Sequence, residues 1–540
     1  MSRRAGINIP LFSCRSTASW GIGELRDIEP LSAWLETAGV SELMILPLGT
    51  MPEGESSPYA ATSTLAIDPI YVALDAVPDF VRAGGVEALS EAAQRALARA
   101  RASSTIRHDE VRRVKHEALG IAFSRFLADE WEALTPRAAE LAAYIARERW
   151  WLDDYALFQA LMRSMGGRSW RTWPEPLRGH DPRALDEARR QLAADVLEQQ
   201  YWQWIAERQW QDARARARTF GVGVIGDLPF VARDESPEIW ARVDEFQPGV
   251  SAGVPPDAFS EDGQDWGLPT YDWTAIARSG YAWLRRRAGR MAVLFDGVRV
   301  DHVIGLFRTY GRRPDRTAFF TPSDEDAQRA QGEAVLDLLR ASGLDVIAED
   351  LGSIPDFVRE SLARLDVPGC RVIRWERHWH TAGQPFRAPE TYPAVSAAMT
   401  GTHDTEPMAV WWDELARDDR AAFAALPLIA ASGTTADTPW SDRLRDAVIE
   451  LAYGAGSDRL FLPIQDVFGW RDRINTPATV TPHNWTWCLP WAVDRLDGID
   501  QARERASFLR RLAVAAGRSA APDYTSAHPE ARRESRGSPP

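Results

Sequence analysis

Lysine is almost missing from this sequence. Lysine and arginine together number 63, yet the only lysine is Lys115, in the charged run Arg112-Arg113-Val114-Lys115-His116. No Gly-Lys-Ser/Thr occurs, so a phosphate-cradling Walker loop has no candidate. A Schiff-base lysine would have to be Lys115, whose neighbours read as an exposed helix face. Cysteine is scarce too: Cys14, Cys370 and Cys488 are far apart and form no Cys-x-x-Cys pair. Neither a zinc site nor a disulfide framework is indicated, and no metal or cofactor is expected. No stretch of about 18 apolar residues exists to span a bilayer. Arg3-Arg4 is followed by a short apolar stretch broken at Pro10, which is no signal peptide; a cytoplasmic location is expected. Positive charge is in deficit, with a formal net charge of −14. That excludes a phosphate-neutralising surface for nucleic acid, and no basic amphipathic stretch suits a membrane surface.

What remains is ordinary globular composition, 45% hydrophobic and 26% charged over 540 residues. Short apolar runs end in Gly, Pro or Asp and alternate with helical patterns. The clearest are Ile7–Pro10, Leu43–Pro47, Val222–Pro229, Val298–Asp301, Val346–Asp350, Val372–Trp375, Ala397–His403 and Leu460–Asp466. Near-continuous apolar runs of this length suit parallel strands buried on both faces. Eight of them with helices between predict a (β/α)8 TIM barrel occupying residues 1–518 as a single catalytic domain. A helical insertion is expected at about 70–220 and a loop-rich one at 231–290, over the active site. Residues 519–540 are small, polar and Pro-rich, and read as a disordered tail.

Three carboxylates sit where these strands stop. Asp301 ends Gly297-Val298-Arg299-Val300-Asp301, Glu349 ends Val346-Ile347-Ala348-Glu349, and Asp404 follows Thr400-Gly401-Thr402-His403. The C-terminal strand ends of an α/β barrel are where catalytic groups converge. Glycosyl transfer wants this set, because a departing sugar oxygen needs a protonated carboxyl and the oxocarbenium-like carbon needs a carboxylate. Arg299, two residues before Asp301, shares its face of the strand and would keep a nucleophile ionised. Glu349 would need a raised pKa to act as an acid near neutrality. Any one strand-end Asp is equally well a helix N-cap or an arginine's structural partner. The co-occurrence of three favours chemistry. His302 and His403 have no paired spacing that would suggest metal ligation. Most of the 23 tryptophans read as packing residues, a minority as sugar-stacking rings.

At these residues the chain resembles the amylomaltase or 4-α-glucanotransferase family, the disproportionating enzymes of glycoside hydrolase family 77. The motifs run in order: Ser19-Trp20-Gly21-Ile22-Gly23-Glu24, Leu46-Pro47-Leu48-Gly49, Ser57-Pro58-Tyr59, Trp151-Leu152-Asp153-Asp154-Tyr155, Gly226-Asp227-Leu228-Pro229, Gly253-Val254-Pro255-Pro256-Asp257, Gln264-Asp265-Trp266-Gly267, Gln465-Asp466-Val467 and Asn484-Trp485. The resemblance implies Asp301 as nucleophile, Glu349 as general acid/base and Asp404 as a clamp on the sugar hydroxyls. It also implies that Arg299, His403 and Asp227 line the subsite of the attacked sugar. Tyr59 would offer a stacking ring, with Asp257 and Trp266 on an insertion arching over the cleft, and His302 and Asn484 as further substrate contacts. Malto-oligosaccharides and α-1,4-glucans would be donor and acceptor. Ala258, where many relatives carry an aromatic residue, and Thr405, where Asn is common, depart from the pattern. Both bear on acceptor preference and on transfer against hydrolysis.

The family also lacks the C-terminal β-sandwich of α-amylases, and nothing after residue 485 reads as a run of strands. Two other functions fit the scaffold: an α-amylase-like hydrolase with water as acceptor, and a non-catalytic glucan-binding protein.

Overall fold

The computed structural model describes residues 3–256, 263–477 and 479–519. Twelve strands follow one another in these residues: β1 (Arg4–Asn8), β2 (Glu42–Met44), β3 (Gly223–Leu228), β4 (Phe246–Val254), β5 (Gln264–Tyr271), β6 (Gly297–Val300), β7 (Thr309–Arg312), β8 (Ala318–Thr321), β9 (Asp345–Ala348), β10 (Gly369–Val372), β11 (Ser396–Met399) and β12 (Arg459–Pro463). Eight close a parallel barrel in the order β1-β12-β11-β10-β9-β6-β3-β2. Each of the eight expected runs meets a barrel strand. The expected Val372–Trp375 is displaced, because β10 ends at Val372 and the chain turns away there.

The barrel holds because the runs bury both faces. Every residue of β3 is buried. Met44, Ile225, Ile347, Cys370, Val372, Ala397, Met399 and Phe461 form a cluster of their own, the filling of the barrel. Gly6 is required by that filling, since a Cβ there would lie 2.4 Å from the Phe461 ring.

Between β2 and β3 the chain is mostly helical, with long helices at His108–Phe126, Pro136–Ser164 and Ala193–Thr219. Ion pairs tie this segment to the loops leaving β1 and β2. Arg112 makes two 3.0 Å hydrogen bonds to Asp68, and Lys115 Nζ donates to Glu24 and to the Val72 carbonyl, each at 2.8 Å. Lys115 therefore lies on the inner face of its helix, with no exposed side-chain surface, and the expected exposed helix face is wrong. Removing one partner of a buried pair strands the other's charge, which costs about 3–5 kcal/mol. Lys115→Met should lower urea-denaturation stability by about 3 kcal/mol, toward the low end because Glu24 keeps the Trp20 amide and Arg26.

The segment at 231–290 is more regular than expected. β4 and β5 form an antiparallel hairpin, and β7 and β8, from the β6–β9 crossover, extend it to a four-stranded sheet. Pro248, Gly249 and Gly253 conceal β4 in the sequence, since Pro and Gly demote a strand. Two register shifts accommodate them, and a Cβ at Gly253 would meet the Gln264 carbonyl at 2.0 Å. After β12 the described residues form helices and turns only. Ser519, placed at the head of the expected tail, bridges to Arg4; the rest of that tail lies outside the described residues. Among the described residues no helix is long and apolar enough to cross a membrane.

Candidate active site

Parallel register sets the site. Asp227 of β3 pairs with Arg299 of β6, and Val300 of β6 pairs with Ala348 of β9. Asp301 and Glu349 thus leave neighbouring strands at the same height. The Asp301 amide bonds the Leu228 carbonyl at 3.0 Å and the Glu349 amide bonds Val300 at 3.0 Å, carrying the ladder up to the carboxylates.

Arg299 is the hub. Its Nη1 lies 2.7 Å from Asp227 and 3.0 Å from Asp301. The Tyr59 hydroxyl donates to the same Asp227 oxygen at 2.6 Å. Tyr59 stacks on His403 at 5.1 Å and 21°, and Trp485 lies 5.9 Å from Tyr59 and 5.8 Å from His403. His403 Nε2 reaches the Asp404 carboxylate at 3.4 Å. Arg299 and Asp227 are buried, whereas the side chains of Asp301 and Asp404 are 29% and 43% exposed and can meet a ligand.

The electrostatics separate the carboxylates. Burial pushes Glu349 up to about 8, with nearby Asp301 adding to the rise against the pull of Arg299. Glu349 accepts the His302 amide at 2.8 Å and the Leu351 amide at 3.1 Å, which fixes its orientation. His302 takes φ +50 to aim that amide. Asp404 goes the other way: desolvation by the protein around it would raise it, but His403 and Asn475 hold it far below the usual carboxylate range. His403 is raised, because Asp404 outweighs the burial that opposes the imidazolium. Desolvation lowers the half-buried His302 to about 4, and it is neutral. One protonated carboxyl beside an accessible carboxylate is the pairing that glycosyl transfer requires.

Of the residues named from sequence, Asp301, Glu349, Asp404, Arg299, Asp227, Tyr59 and His403 converge here. Trp266, on β5, packs edge-on to His302 at 4.7 Å and brings the hairpin over the end of β6. Asp257 and Ala258 lie outside the described residues. The amide of Asn484 bonds Thr476, Thr479 and Thr481 of its own loop. These bonds hold the loop that presents Trp485. Thr405 bonds the Thr402 amide and carbonyl, both at 3.0 Å, closing the turn that carries Asp404.

Sequence reasoning missed Asn475 and Arg473. Asn475 Nδ2 donates to Asp404 Oδ1 at 2.6 Å, and Arg473 Nη2 to the Asp404 carbonyl at 2.6 Å. They come from an irregular stretch without periodicity, and no spacing signal marks them. A charge-assisted hydrogen bond contributes about 1.5–3 kcal/mol, so Asn475→Ala should lower kcat/KM by roughly 10- to 150-fold. Asn475→Asp, which sets like charges together, should be worse; initial rates of the two variants check this.

Among the described residues no group of three or more His, Cys, Asp and Glu is arranged to hold a metal. All three cysteines are free and buried.

The model of glycoside hydrolase family 77, 4-alpha-glucanotransferase, matches residues 9–493. The 4-alpha-glucanotransferase of Thermus thermophilus is 32% identical over 510 residues, covering 90% of this chain and 96% of its own. That of Chlamydia pneumoniae is 28% identical over 503 residues, covering 92% and 93%. Amylomaltase from Streptococcus agalactiae, solved in complex with acarbose, superposes with a TM-score of 0.80 at 23% identity, over 96% of this chain and 99% of that one. Amylomaltase from Corynebacterium glutamicum gives 0.78 at 23% identity, over 94% and 75%. These two likenesses bear on the fold. With the family match spanning nearly all of the barrel, the chain belongs to the 4-alpha-glucanotransferase family of enzymes.

Proposed function

We propose that this chain transfers α-1,4-glucan segments between malto-oligosaccharides, with retention at the anomeric carbon. The observation that carries this is the register of β6 against β9. Neighbouring strands lie about 4.8 Å apart, and two carboxyls at adjacent strand ends suit the roughly 5–5.5 Å spacing of retaining enzymes.

Asp301 attacks the anomeric carbon while protonated Glu349 delivers its proton to the departing glycosidic oxygen. A glucosyl ester on Asp301 and a shortened glucan result. Glu349, now ionised, takes the proton of an incoming 4-hydroxyl, whose oxygen displaces Asp301 and restores an α-linkage. Asp404, held ionised by His403 and Asn475, accepts hydrogen bonds from sugar hydroxyls and faces the positive charge of the transition state. Arg299 offsets the charge of the carboxylates crowded around it.

Transfer over hydrolysis is supported by the family and by the hairpin that carries Trp266 against His302, because a covered site favours a sugar acceptor over water. Incubation with maltotriose tests the reading. A ladder of longer oligomers with release of glucose is expected; only shortened products would replace transfer with hydrolysis.

A further inference from the structure

Between β9 and β11, the strands that lead to Glu349 and Asp404, stands β10, and the chain leaving it builds a ribbon whose exposed rings the catalytic network does not use. The Arg374 side chain fastens its base to the turn that carries Asp404, through Nε to the Thr400 carbonyl at 3.0 Å and Nη1 to Glu406 at 2.8 Å. From there Glu376 to Arg387 double back as an irregular hairpin: Arg377 bridges Phe386, and the Arg387 amide bonds the Glu376 carbonyl at 2.9 Å. Arg377 secures it further, lying 4.0 Å from the Phe386 ring centroid and 2.7 Å from Asp419.

Trp379 rides near the tip of this ribbon with 56% of its surface exposed, and Trp375 at the base is 38% exposed. Other large rings of the chain, such as Trp20, Trp170, Trp210, Trp240 and Trp412, are fully buried. Arg377 also lies 5.9 Å from the Trp379 ring centroid, yet more than half of the indole is held out to water. The ribbon rises from the loop face of the barrel, on the strand flanked by those of the acid and the sugar clamp.

We propose that Trp379, with Trp375 at the base of the same ribbon, is a stacking platform for glucose units of the glucan beyond those at the carboxylates, so that it sets chain-length preference. This rests on the glucan-transfer reading. Pyranose C–H faces pack on indole faces, and such a contact contributes only when the substrate is long enough to reach it. The occupant is a linear α-glucan, because the ribbon springs from the loop face between the strands that lead to Glu349 and Asp404, and Arg374 at its base is bonded to the turn that carries Asp404.

The test compares kcat/KM for maltotriose and maltoheptaose in the wild type, Trp379→Ala and Trp379→Phe. Trp379→Ala should leave maltotriose unchanged within twofold and lower maltoheptaose about three- to tenfold, the range of one aromatic contact. Trp379→Phe should recover most of the loss, and the urea midpoint should not move, since the ring is exposed. An equal loss on both substrates, or none on either, in an active enzyme would overturn the platform and leave the transfer reading standing. A wild type that transfers from neither substrate would overturn both.

Discussion

Replacing Asp301 by Asn should lower kcat/KM on maltotriose by on the order of 10³-fold or more while leaving the fold intact. The substitution is nearly isosteric and removes the attacking oxygen's charge. Arg299 loses one of two carboxylate partners, but its 2.7 Å contact to Asp227 remains, so no buried cation is stranded. Retained thermal stability together with lost turnover is the expected pair of results. A fall of less than about tenfold would mean that Asp301 is not the nucleophile.

Glu349→Gln should cost about 10²–10⁴ in kcat/KM, the range of general acid catalysis, and should change the pH profile as well. The Glu349 carboxyl, pushed up to about 8, is protonated below that pH and gives the departing oxygen its proton. Wild-type kcat/KM should therefore fall as pH rises through about 8, with the loss of one proton, and the glutamine variant should lack that limb. The same shift has a stability consequence. The folded carboxyl holds its proton more tightly than the unfolded one, whose ordinary value is 4.5. The resulting stabilisation is complete below pH 4.5 and is lost as pH rises through 8. Glutamine cannot ionise, so the variant's Tm relative to wild type should be higher at pH 9 than at pH 6. A wild-type profile flat to pH 10 would remove Glu349 as the acid.

The barrel was legible because burial on both faces leaves a physical mark. β3 reads as Gly223-Val-Ile-Gly-Asp-Leu228 and every residue is buried, so its apolar run is broken only at Asp227, the partner of Arg299. β10 is displaced because Ile373 and Arg374 continue the apolar and cross-strand pattern after the ladder has ended; the Ile373 amide still bonds Met399 at 2.9 Å. The four-stranded sheet was hidden where Pro and Gly interrupt β4, and its bulges repair what the composition disguises. Lys115 faces inward although its charged neighbours read as an exposed face, and its spacing carries the signal. His108, Val111, Lys115, Ala118 and Ala122 recur at helical intervals, and all are buried. A lone cation on an apolar stripe calls for a buried anion, here Glu24. In the site, residues on strands were found through period and strand end. Asn475 and Arg473 were not, since their loop approaches Asp404 only in three dimensions.

The central claim, a covalent intermediate on Asp301 with Glu349 as its proton carrier, is met most directly by trapping that ester. In Glu349→Gln, an α-maltotriosyl fluoride donor can glycosylate the enzyme, because fluoride departs without an acid. Release to a sugar acceptor is slow, because the base is gone. Peptide mass spectrometry should then find one maltotriosyl adduct, on Asp301, that disappears in Glu349→Gln/Asp301→Asn. An adduct on another residue, or fluoride turnover without any adduct, would contradict the account.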